Sequence, residues 1–82
     1  MTQHMYATFI FDGEKLDEYQ RGFISGLMYL LTGKPSETFA WGRKVADGKL
    51  LWDKTFEAND EQALAVGDEI EKLFPGVILE MI

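Results

Sequence analysis

The sequence predicts an α+β fold, with a four-stranded antiparallel sheet and two helices on one of its faces. Three observations predict it. Apolar residues switch between the two-residue period of strands and the 3.6-residue period of helices, in the order β-α-β-β-α-β. The dipeptides Asp12-Gly13, Asp47-Gly48 and Pro75-Gly76 carry turn chemistry at the segment ends. Finally, 82 residues with 46% hydrophobic side chains make one packed domain and no more. No linker, repeat or low-complexity stretch divides the chain. Residues 1–82 therefore read as a single domain, with residues 1–4 expected as a flexible tail.

Residues 5–11 are rich in β-formers and end at Asp12-Gly13. Alternation puts Met5, Ala7, Phe9 and Phe11 on one face and Tyr6, Thr8 and Ile10 on the other. Both faces are apolar enough for a central strand. Residues 14–32 read as a helix, with Glu14, Asp17 and Glu18 in its first turns, where the helix dipole favours anions. Leu16, Tyr19, Phe23, Leu27, Leu30 and Leu31 share one arc, flanked by Ile24, and are expected to be buried. Gly33 and Pro35 stop the helix. Gly22 and Gly26 lie four apart beside that arc. Each costs helix propensity, so a close backbone approach is expected there. Tyr29 lies off the arc, beside Gly22, as a candidate exposed contact.

Residues 37–45 and 49–58 read as a hairpin turning at Asp47-Gly48. That register pairs Val45 with Leu50, Arg43 with Trp52, Trp41 with Lys54 and Phe39 with Phe56, all on one face. The other face carries Thr38, Ala40, Gly42 and Lys44 against Leu51, Asp53, Thr55 and Glu57. Asn59 and Gln62 form a capping box that opens a second helix, running to about Phe74. Ala63, Val66, Gly67, Ile70 and Phe74 form its buried stripe, and most of its acidic residues lie outside that stripe. Residues 77–82 are the last strand. Two βα units joined by a hairpin match the ferredoxin-like βαββαβ arrangement. Right-handed crossovers then put both helices on one face and the first and third strands in the centre.

Composition excludes several classes. There is no cysteine, so no disulfide framework, cysteine-ligated metal or thiol catalysis. No apolar run is long enough for a membrane helix, and the first residues do not form a signal peptide. A cytoplasmic protein is expected. The net charge of −6 argues against a generic DNA-binding surface.

No catalytic constellation is legible. The single histidine, His4, falls in the expected tail, and neither Ser25 nor Ser36 sits in a nucleophile elbow. Asp12, Glu14, Asp17 and Glu18 occupy a turn and a first helical turn, where capping and dipole effects account for them. Thr32-Gly33-Lys34-Pro35-Ser36 resembles the end of a phosphate loop but has the wrong glycine spacing and follows a helix C-terminus, where the dipole repels anions. An acylphosphatase needs an arginine in the loop after the first strand, and Asp12-Gly13-Glu14 stands there. No cofactor, metal or catalytic residue is expected. A small dimeric enzyme with a pocket between subunits is the least favoured reading.

Charge is polarised along the chain. Residues 34–54 carry five basic against three acidic side chains, whereas residues 55–82 carry seven acidic residues and one lysine. Two partner surfaces follow. One is the acidic faces of the helices, Asp17, Glu18, Asp60, Glu61, Asp68, Glu69 and Glu71, which suit a protein with a basic surface. The other is the hairpin, where Trp41, Arg43, Lys44, Trp52 and Lys54 suit single-stranded nucleic acid by stacking and charge. Against the hairpin stands Lys49-Leu50-Leu51-Trp52-Asp53-Lys54-Thr55-Phe56, which lacks the RNA-recognition-motif signature. The expected role of its aromatic face is core. The sheet face without helices offers a candidate homodimer surface: Tyr6, Thr8, Ile10 and Leu51, joined by alternate residues of the last strand.

In size, acidity and lack of a catalytic constellation the chain is similar to small phage-encoded anti-defence proteins, anti-CRISPR proteins among them. No motif carries that similarity and no residue role transfers from it. It implies an inhibitor that occupies a basic surface of a nucleic-acid-processing complex.

Overall fold

The computed structural model describes residues 4–33 and 41–82. Its strands are β1 (Tyr6–Asp12), β2 (Gly42–Ala46), β3 (Lys49–Glu57) and β4 (Ile78–Met81), and its helices are α1 (Glu18–Thr32) and α2 (Asp60–Leu73). The four strands form one sheet in the order β2-β3-β1-β4, antiparallel throughout. The expected ferredoxin-like βαββαβ fold is present, with the first and third strands in the centre.

The hairpin register is the one the turn dictates. Arg43 pairs with Trp52 and Val45 with Leu50. Asp47 and Gly48 both adopt positive φ, 53° and 75°, as a two-residue type I′ turn requires. The start of the expected strand at residues 37–40, with the Phe39–Phe56 pair, lies outside the described residues, as do residues 1–3 of the expected tail.

The core lies between the sheet and the two helices. Ala7, Phe9 and Phe11 supply the β1 side, with Ala7 and Phe9 fully buried. Phe9 stacks on Phe56 with centroids 5.2 Å apart, and Phe11 meets Phe74 edge-on at 5.9 Å. Val77, just before β4, and Leu79 and Met81 of β4 pack against this core. Ile78 and Ile82 therefore take the open sheet face.

α2 follows its sequence reading. Ala63, Val66 and Ile70 are buried, with Gly67 and Phe74 half-buried beside them. The capping box is complete: the Gln62 amide donates to Asn59 Oδ1 at 2.8 Å, and the Asn59 amide donates to Gln62 Oε1 at 3.1 Å.

α1 differs from its sequence reading in start and in orientation. A 3-10 turn over Gly13–Lys15 precedes it, and Asp17 caps it by accepting from the Gln20 amide at 2.8 Å. Its buried residues are Ile24 and Met28, preceded by Leu16 in the connection. Tyr19 is 91% exposed and Leu30 79%, while Phe23, Tyr29 and Leu31 are also exposed. The expected arc is thus rotated by roughly a quarter turn about the helix axis. The cause is the polar side chains that dock on the sheet. Arg21 lies over Trp52, and Ser25 accepts from Trp41 Nε1 at 3.2 Å. These contacts turn Ile24 and Met28 inward and leave Tyr19 and Leu30 facing out.

Candidate functional site

The helical layer presents two unlike surfaces. α2 brings its acidic side chains to solvent because its buried residues, Ala63, Val66 and Ile70, form one stripe away from them. Asp60, Glu61, Asp68, Glu69 and Glu71 are all exposed. Asp60 sits beside His4, with Oδ1 3.1 Å from the imidazole Nδ1, and Glu69 pairs with Lys72 at 3.1 Å. Both pairs are exposed and add little to stability. Glu61, Asp68 and Glu71 have no cationic partner among the described residues. They follow one another at i, i+7 and i+10 with Leu64 between them, a single line on the outward side of the helix. About 15 Å of helix separates the first from the last.

Asp17 and Glu18 are both exposed at the start of α1. Asp17 is engaged in capping α1, and Glu18 is exposed in the first turn. This end of α1 lies where α2 finishes, since Phe23 meets Phe74 at 6.5 Å.

The outward side of α1 is the second surface. Tyr19, Gly22, Phe23, Gly26, Tyr29 and Leu30 are exposed on it. A Cβ added at Gly22 or Gly26 would have no atom of the chain within 4 Å. The close backbone approach expected at these glycines is therefore not made by this chain's own described residues. A shallow open hollow lined by Glu18, Tyr19, Gly22 and Phe23 marks the gap. The sequence reading buried Tyr19, Phe23 and Leu30 of this surface and left Tyr29 exposed beside Gly22. The glycine pair was the signal that could have found it.

The hairpin aromatics stand under α1. Trp41 and Trp52 are half-buried, edge to face at 6.5 Å, and pack against the core. The Arg21 guanidinium carbon is 4.0 Å from the Trp52 ring centre, and Arg43 is 5.7 Å from it. Lys54 Nζ is 5.8 Å from the Trp41 ring, and the residue is only 3% exposed. Arg43 and Lys44 are exposed, but alternation sends them to opposite faces. Of the five candidate residues, Trp41, Arg43, Trp52 and Lys54 thus gather around the half-buried aromatic pair, and Lys44 alone lies on the other face. Arg21, which the sequence reading did not single out, is the side chain that covers Trp52.

On the open sheet face Tyr6 is exposed, Ile10 and Leu51 are half-buried, and Thr8 is 9% exposed. Thr8 Oγ1 lies 2.8 Å from Thr55 Oγ1. Thr8, Thr55, Asp53 and Glu80 break the apolar side chains of this face into separate pieces.

A small hollow between Phe11, Leu16 and the Phe74–Val77 turn carries one carboxylate, Asp12. That carboxylate accepts from the Glu14 amide. Among the described residues no group of three His, Cys, Asp or Glu is placed to hold a metal ion, and no helix is long and apolar enough to cross a membrane. The chain matches no family model, no curated protein and no solved structure.

Proposed function

We propose that the chain is a small, non-enzymatic protein-binding domain whose acidic helix engages a basic surface of another protein. In its sharper form the partner belongs to a nucleic-acid-processing complex, and the domain inhibits it by occupying a groove meant for phosphates. Such a target is cytoplasmic. One observation carries the reading: the line of Glu61, Asp68 and Glu71 along the solvent side of α2, without a cationic partner among the described residues. Helix stability does not account for that line. Glu61 suits the first turn, but Glu71 lies in the last, where the dipole disfavours an anion.

The test is a pull-down from lysate across a salt series, with bound proteins and nucleic acids both identified. A protein partner released by moderate salt is expected, because exposed charge attraction is screened. The triple variant Glu61→Lys, Asp68→Lys, Glu71→Lys should lose that partner while keeping its circular dichroism spectrum. Undiminished capture by the folded variant would overturn the reading. The second reading is single-stranded nucleic acid on the hairpin, supported by the exposed Arg43, Lys44 and Lys49. Recovery of nucleic acid without protein would favour it.

A further inference from the structure

We propose that two copies of this chain pair through the outward face of α1, antiparallel about a twofold axis level with Ile24. The face is largely apolar, with Glu18 as its charge. Tyr19 is 91% exposed, Leu30 79%, Phe23 54% and Tyr29 50%. The charges of α1 are Glu18, at its N-terminal rim, and Arg21, which is drawn away onto Trp52. Taken together these side chains expose roughly 600 Å² per copy. Complete burial of these side chains in both copies would reach about 1,200 Å², the lower end of the range for a stable specific interface.

Shape points the same way. Gly22 and Gly26 leave open space where side chains would stand. Paired small residues one helical turn apart let a second helix backbone come close. Nothing in the described chain uses that opening.

Symmetry selects a second copy over an unrelated helix. Tyr19, Gly22, Gly26 and Tyr29 are spaced three, four and three residues apart, symmetric about position 24. On a helical wheel this stripe lies opposite Ile24, the fully buried anchor of α1. A twofold axis there sets Gly22 against the partner's Gly26 and Tyr19 against the partner's Tyr29. Small then meets small at the crossing, and aromatic meets aromatic on either side of it. The spacing is that of any one-sided helical stripe, but the order of types, aromatic, small, small, aromatic, reads the same in both directions, which suits an isologous contact that matches each position with its mirror. The antiparallel arrangement also opposes the two helix dipoles favourably.

Sedimentation equilibrium over low to high micromolar protein tests the pairing. The chain should pass from monomer to dimer; a monomer at every concentration overturns the proposal. Gly22→Leu should weaken the dimer by at least about tenfold, with the protomer still folded because the new side chain meets open space. An unchanged dimer in that variant overturns it. Tyr19→Glu and Tyr29→Lys, made singly, should each give monomers. Combined, the introduced acid at 19 faces the introduced base at 29 of the partner, and the dimer should return. A double variant that stays monomeric overturns the antiparallel register. Leu51→Lys on the open sheet face should leave the dimer intact; dissociation there gives the interface to the sheet and overturns the proposal. The α2 charge-reversal triple variant separates this inference from the proposed function. It should lose its captured partner and keep the dimer.

Discussion

Ile24 and Tyr19 lie five positions apart in one helix and differ completely in burial, 0% against 91% exposed. Truncation should report that difference. Ile24→Ala removes a side chain packed in the core and should cost about 2–5 kcal/mol, as buried aliphatic truncations do. Tyr19→Ala, measured at a concentration where the chain is monomeric, should stay within about 0.5 kcal/mol. Urea denaturation of both variants reads it directly, and the reverse order of costs would restore the arc that apolar spacing alone suggests. The glycines give an independent check on the same helix. Gly22→Ala and Gly26→Ala meet no atom of the protomer, so at the same monomeric concentration each should raise stability by about 0.5–1 kcal/mol through helix propensity. Gly13→Ala should lower it, because its Cβ would stand 2.7 Å from the carbonyl oxygen of Leu50, a backbone atom that cannot step aside.

Among the elements, α2 was legible and α1 was not, for a reason visible in their residues. In α2 the buried residues Ala63, Val66 and Ile70 fall in one narrow stripe and the acids lie off it, with Leu64 and Leu73 the large exposed exceptions, so one orientation frees the charge. In α1 apolar residues surround most of the axis. Tyr19, Phe23, Ile24, Leu27, Met28, Tyr29, Leu30 and Leu31 permit several orientations, and averaging them selects the wrong one. The choice is made by tertiary contacts of Arg21 and Ser25 with Trp52 and Trp41, which no local pattern encodes. The hairpin lies at the other extreme, because Asp47-Gly48 fixes the turn type and the turn fixes the register. The same contrast governs the site. The acidic line of α2 could be read from the sequence, whereas the covering of Trp52 could not. Two predictions belong to this scale. Asn59→Ala breaks the capping box of α2 and should cost about 1 kcal/mol. Glu71→Lys replaces an anion with a cation in the last turn of α2 and should add about 0.3–1 kcal/mol at low salt. If Glu71 also contacts a basic partner, that one substitution stabilises the domain while weakening its capture, and thermal melts beside pull-downs would show the two effects together.

For the whole molecule the decisive quantity is the net charge of −6 and its uneven placement. Most of the acidic excess sits in residues 55–82, on and around α2, and the outward face of α1 carries no charge beyond Glu18 at its rim. The two surfaces should therefore answer salt with opposite signs. Capture of a basic partner joins unlike charges, so added salt screens the attraction and lengthens the list of conditions under which the partner is released. Pairing of two copies joins a largely apolar face while bringing two acidic bodies together, so added salt screens a repulsion and leaves the apolar contact untouched. Raising sodium chloride from low to physiological and then to several times that concentration should tighten the dimer at each step while it loosens the partner. Sedimentation for the dimer and a parallel binding titration for the partner would follow both on one preparation. A dimer that dissociates with salt would mean that charge holds it, and the acidic helices with the basic hairpin, rather than α1, would then form the contact between copies.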